Sequence, residues 1–148
     1  MMRRIGVLLI GILGLALILP WGAYWVGLYR YRISQYPLPP PQAISAPQRE
    51  WVWSLAKVSG EPVMVPLSPY TYLYDLFILK AKTDRNMRVA WWVASDHLIK
   101  QNTSQQMLWW HLSGASLTIW LTRNWTDQQI TAAAFFALQQ RGEVYGGN

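Results

Sequence analysis

Apolar and polar positions divide the chain into three stretches. Residues 5–29 form one apolar run without a charged side chain. As a helix it would extend about 37 Å at about 1.5 Å per residue, against a hydrocarbon core about 30 Å thick. The run therefore predicts one membrane-spanning helix whose end lies in the interface. Trp21, Tyr24, Trp25 and Tyr29 crowd that end, as a belt of aromatic residues does at a bilayer surface. Pro20 opens the belt, where water or headgroups can meet the carbonyl that proline leaves unpaired. Residues 33–48, ISQYPLPPPQAISAPQ, contain five prolines and predict an extended, polyproline-type spacer holding a domain away from the membrane. A ligand for a proline-binding groove is the less favoured reading.

Residues 49–148 carry helix punctuation and no sustained alternation of the kind a strand needs. A short helix is expected over residues 49–58, then a loop or extended piece over residues 59–67. Ser68-Pro69 is an N-cap followed by proline at the first helical position. It opens a helix over residues 70–82 with Leu73, Leu76 and Phe77 on one face. Asp84 caps a helix through Val89, Trp92, Val93 and Leu98. Ser104 caps a long one through Leu108, Leu112, Ala115 and Ile119. Thr126 and Gln129 have capping-box spacing, which starts a helix at Asp127 that runs to about Arg141 and stops at Gly142. Ser113-Gly114-Ala115-Ser116 sets four small residues in mid-helix, where another helix can approach closely. The fold expected is all-α: a transmembrane helix (residues 1–32 with its flanks), a spacer (33–48) and a Trp-rich helical outer domain (49–148).

Charge and composition narrow the function. The 148 residues are 52% hydrophobic and 14% charged, well below the quarter usual for soluble domains, which argues against a disordered chain or a free cytosolic enzyme. The net charge is +6, yet Arg3, Arg4, Arg30 and Arg32 flank the apolar run and account for most of it. With no concentrated basic face elsewhere, nucleic acid is not an expected partner. The basic N-terminal flank favours a cytoplasmic N-terminus and an uncleaved signal-anchor topology, which places the outer domain in the periplasm of a bacterial inner-membrane protein. The absence of cysteine excludes disulfides and thiolate-ligated metals. Two histidines, His97 and His111, make a poor ligand set, so neither metal nor cofactor is expected.

The outer domain holds eight tryptophans: Trp51, Trp53, Trp91, Trp92, Trp109, Trp110, Trp120 and Trp125. Neighbours such as Trp91-Trp92 and Trp109-Trp110 point about 100° apart on a helix, so one of each pair can enter a core while the other stays at its edge. Edge indoles suit lipid headgroups, a glycan or a protein partner. Trp91, Trp92, Trp109 and Trp110, with Arg85 and Arg88, are the candidate binding residues. No phosphate loop or nucleophile elbow is present, and no catalytic residue stands out.

One stretch resembles a family. Ile119-Trp120-Leu121-Thr122-Arg123-Asn124-Trp125-Thr126-Asp127-Gln128-Gln129-Ile130, with Arg141-Gly142-Glu143-Val144-Tyr145-Gly146, resembles the C-terminal part of family 51 peptidoglycan glycosyltransferase domains of penicillin-binding proteins and monofunctional transglycosylases. The resemblance covers about a fifth of the chain and implies an N-terminal anchor with a lysozyme-like, all-helical outer domain. It also implies polymerisation of a lipid-linked disaccharide. That reaction needs a base near the attacking hydroxyl and cations on the leaving pyrophosphate. The family's catalytic Glu-Asp is here Thr83-Asp84, which leaves Asp84 as the candidate base and Arg85 and Arg88 as the cations. Gly114-Ala115-Ser116 echoes a Gly-Gly-Ser-Thr motif, and Phe135-Phe136-Ala137 stands in place of Tyr-Leu-Asn. The residues together favour a non-catalytic accessory subunit of an envelope assembly for peptidoglycan synthesis, division, secretion or conjugation. Its expected partners are the lipid bilayer, other envelope proteins, and peptidoglycan or its lipid-linked precursor. A divergent glycosyltransferase is the alternative.

Overall fold

The structure is a computed structural model that describes residues 2–30, 36–57, 63–78, 87–101, 107–143 and 145–146. Among them the regular structure is entirely α-helical: α1 (Met2–Arg30), α2 (Ala46–Ala56), α3 (Pro69–Phe77), α4 (Met87–Lys100), α5 (Met107–Asn124) and α6 (Asp127–Gln140).

Local chemistry accounts for the helix ends. Ser68 accepts from the Thr71 amide, and its own amide donates to Thr71 Oγ1 at 2.7 Å; Pro69 follows at the first helical position. Thr126 and Gln129 form the expected reciprocal pair at the start of α6, and Gly142 leaves that helix at φ +87°, where glycine has no Cβ to clash. Helix α2 starts at Ala46, earlier than expected. Ser45 caps it, its amide donating to Gln48 Oε1 at 2.8 Å, and Pro47 sits in the first turn, where its missing N–H costs nothing. The helix ends where Lys57 turns left-handed at φ 55°. Helix α3 stops at Phe77. The caps expected at Asp84 and Ser104 lie outside the described residues.

Helix α5 is the hub and packs against α1, α3, α4 and α6. The main core joins Val52 and Trp53 of α2 and Val89, Val93 and Leu98 of α4 to Leu117 and Leu121 of α5 and Ile130, Phe135 and Leu138 of α6. A second cluster joins Tyr24 and Leu28 of α1 to Leu67, Tyr72, Met87 and Ile119. Burying one such side chain contributes roughly 1.5–3 kcal/mol, so α1 is held to the bundle by part of its core. The four small residues of α5 are what let it dock. Ser113 Oγ donates to the Gly27 carbonyl at 3.3 Å. A Cβ on Gly27 would come within 2.9 Å of the Leu112 carbonyl oxygen, and closer still to Ser116 Oγ. Gly114 serves α4 in the same way, with the Trp91 ring lying where its Cβ would be.

Two expectations are refined by the packing. The aromatic residues at the end of α1 do not all face outward. Tyr24 is only 7% exposed and Trp21 packs beside it on the second cluster, while Trp25 and Tyr29 face outward. Trp21, Tyr24 and Leu28 pack on the second cluster with Ile119 of α5, while Trp25 and Tyr29, displaced from them by about 40–140° around the helix, stay exposed. Nor do the prolines hold the bundle at a distance. Tyr36 stacks on Trp120 at 4.4 Å and 7° between planes, Pro37 is buried and Ile44 rests on the main core. An extended segment with no internal hydrogen bonds is free to lie along apolar surface, and this one does.

Candidate functional site

Two adjoining clefts and one exposed helix face distinguish the surface. The first cleft lies between α3, α4 and α5. It has a volume of ≈ 440 Å³, and its lining includes Tyr72, Leu76, Met87, Arg88, Trp91 and His111. Gly114 admits the Trp91 ring against α5, one helical turn from Trp110 and His111. Trp91 meets Trp110 edge to face at 5.6 Å and 88°, and lies parallel to His111 at 6.2 Å and 9°. Both indoles are half-buried and His111 is exposed. Arg88, one turn before Trp91, donates one guanidinium N–H to the Ala56 carbonyl at 2.9 Å; a guanidinium has five such donors. The arrangement offers flat π faces for stacking and a cation for an anionic group. Burial pushes the Tyr72 hydroxyl up to about 12, so at neutral pH Tyr72 is a protonated wall of this cleft.

The second cleft runs between α1, α3 and α5 and has a volume of ≈ 370 Å³. Pro20 and Ala23 of α1, Leu73 and Leu76 of α3, and Leu112 and Ala115 of α5 line it, with Tyr72, Leu76, His111 and Ala115 common to both clefts. Both volumes fall in the roughly 300–1,000 Å³ range of ligand pockets, which are usually apolar with a few polar groups. Here the polar groups cluster in the first cleft.

The exposed face belongs to α3. The apolar residues expected on one face of this helix are together, but they point away from the bundle: Leu73, Tyr74, Phe77 and Ile78 are exposed, and Pro69, Tyr72 and Asp75 are buried. At its start, the Tyr70 hydroxyl donates to the Leu17 carbonyl of α1.

The predicted site residues separate. Trp91, Trp110 and Arg88 come together, with His111, which spacing alone did not single out. Trp92 leans on the main core instead. Its carbonyl accepts from Arg141 at 3.2 Å and from Ser95 at 3.1 Å. Trp109 is half-buried on α5. Asp84 and Arg85 lie outside the described residues. Trp53 is the one fully buried outer-domain indole; the other seven are half-buried, so neither member of the adjacent pairs enters the core outright. Trp21 carries Arg123 over its ring at 5.9 Å, and Arg123 also donates to the Leu67 carbonyl at 3.2 Å. Two carboxylates have basic partners: Asp96 pairs with Lys100 at 2.7 Å, and Asp127 with Arg49 at 2.5 Å. Among the described residues no group of three His, Asp or Glu side chains stands close enough to hold a metal ion. The clue to His111 was Gly114, since a glycine inside a helix marks close approach by a neighbour.

Among the described residues one helix, over Leu9–Tyr29, is long and apolar enough to cross a membrane. Comparison with known protein families, with characterised proteins and with solved structures finds no match to this chain.

Proposed function

We propose that the protein is a single-pass bacterial inner-membrane protein, N-terminus cytoplasmic and bundle periplasmic. In this reading it serves as a binding subunit of a cell-envelope assembly and does no chemistry of its own. The observation that carries the reading is the half-exposed group Trp91, Trp110 and His111 beside Arg88. Aromatic residues and arginine are the residue types that dominate binding energy at protein interfaces, and this group stands on two packed helices rather than on loops. A protein partner of the envelope is the occupant favoured, because half-buried indoles beside an arginine are the side chains enriched at protein interfaces.

The test is the size of the full chain extracted in mild detergent from its own membranes. It should migrate in a discrete complex well above its 17.1 kDa monomer. The double variant Trp91→Ala, Trp110→Ala should fall back to the monomer, since loss of two hot-spot residues costs several kcal/mol of binding. A solitary wild-type monomer would overturn the proposal. Retention on isolated glycan strands, lost in the same variant, would redirect it to peptidoglycan. Polymerisation of lipid-linked disaccharide by the wild type, abolished in Asp84→Asn, would replace it with the enzymatic alternative.

A further inference from the structure

The bare length of α1 is shorter than a bilayer. The large side chains of residues 9–19 are exposed all round the helix, and the bundle takes hold from Pro20 onward. From Ile5 to Leu19 the apolar helix rises about 22 Å, which is about 8 Å less than the hydrocarbon core. The next turns of α1 are apolar and continue the span to Tyr29, and those turns carry α3 and α5 with them. Helix α3 is tied to the bare part as well, through the Tyr70 hydroxyl on the Leu17 carbonyl.

The outer face of α3 is the reverse of what water selects. Phe77 is 69% and Ile78 63% exposed, with Leu73 and Tyr74 beside them, while Asp75 is fully buried on the inner face. A helix on an aqueous surface turns its polar residues out, and clustered exposed apolar side chains mark a contact with membrane or protein. The second cleft opens between this face and Pro20 and Ala23 of α1, so it is continuous with the apolar span. Exposed polar residues such as Glu50, Lys100, Gln128 and Gln139 belong to α2, α4 and α6.

Resting on the anchor reading above, we infer that the α1–α3 side of the bundle is itself immersed in the leaflet on the bundle's side of the membrane. Acyl chains cover the outer face of α3 and enter the cleft between α1, α3 and α5. The occupant is the surrounding bilayer lipid, because it is the medium that already contacts the helix forming one wall of the cleft. The protein is then embedded on one side and wet on the other.

The chain contains no cysteine, so single-cysteine variants of the full-length protein can carry a nitroxide at one chosen position. In phosphatidylethanolamine–phosphatidylglycerol vesicles, labels on Leu13→Cys, Phe77→Cys and Gln139→Cys are compared for collision with oxygen and with a water-soluble nickel chelate. Oxygen collisions should exceed nickel collisions several-fold at positions 13 and 77, and the order should invert at 139. Leu73→Cys, on the cleft rim, repeats the measurement should the Phe77 variant fail to fold. A lipid signature at 13 with an aqueous one at 73 and 77 overturns the immersion and leaves the anchor standing. Labels at 73 and 77 shielded from both reagents also overturn it, in favour of a cover by protein, such as a second copy. An aqueous signature at 13 removes the anchor reading itself.

Discussion

Residues 9–19 and residues 20–29 of α1 belong to one unbroken helix, and both are apolar, but only the second set buries side chains against the bundle. Glycines occur in both. Gly11 and Gly14 have nothing within reach of a Cβ, whereas Gly27 sits against Ser113 and Ser116 of α5. Apolarity therefore does not decide which part of the helix binds the bundle. Mutual smallness does: a helix face without bulk meets another without bulk, the backbones close up, and Tyr24 and Leu28 on either side are carried into the second cluster. This is the packing by small residues that membrane helices use among themselves, here joining an apolar helix to a bundle with its own core.

Gly27→Leu tests the contrast most severely. With backbone and Ser116 in the way, the side chain cannot be accommodated, and overpacking of at least about 3 kcal/mol should lower the thermal midpoint by more than about 10 °C. Gly14→Leu, in the bare half, should leave it unchanged. Circular dichroism of both variants in detergent reads the difference, and equal midpoints would mean that α1 is not docked.

Tyr72 gives a smaller, pH-dependent effect. It packs with Tyr24 and Leu28, and its hydroxyl, ordinarily near 10, is raised by burial to about 12. The folded state thus holds its proton to higher pH than the unfolded state does. The stabilisation from the neutral phenol is complete below pH 10 and is lost as pH rises from 10 to 12, by about 2–3 kcal/mol. Unfolding midpoints measured across that interval should fall in the wild type and fall less in Tyr72→Phe.

The aromatic residues at the end of α1 supply the mildest comparison. Trp21→Ala removes packing on the second cluster and the ring beneath Arg123, and should cost about 1–2 kcal/mol. Trp25→Ala, on the exposed side, should change folding stability by no more than about 0.5 kcal/mol. Equal losses would show that both rings serve the bundle alike.

Much of the bundle was legible in the residues. Ser68-Pro69, Thr126 with Gln129, and Gly142 each mark a helix end by short-range chemistry, and each end falls where that chemistry puts it. The small quartet at residues 113–116 indicated a close helix approach, which both α1 and α4 make. What stayed hidden is tertiary. The box at Ser45 and Gln48 was masked by the prolines around it, although Pro47 occupies a position that tolerates proline. The α3 stripe of Leu73 and Phe77 is periodic, but periodicity says that residues share a face, not which way it turns. Trp21 and Tyr24 look like Trp25 and Tyr29 in composition, and all four lie within about 140° around the helix, so only the docking on α5 separates the pair that packs from the pair that faces out. Of the candidate site, Trp91, Trp110 and Arg88 were named from side-chain chemistry alone. His111 needed the knowledge that Gly114 brings Trp91 across to α5.

The docking of Gly27 on Ser113 and Ser116 has a mechanical consequence. Helix α5 carries those serines and, within a turn of them, Trp110 and His111. A tilt or axial rotation imposed on α1 from its far end is passed to α5 through this close seam of backbone and hydroxyls, with Tyr24, Leu28 and Ile119 packed beside it. It moves the aromatic surface as a lever moves its load.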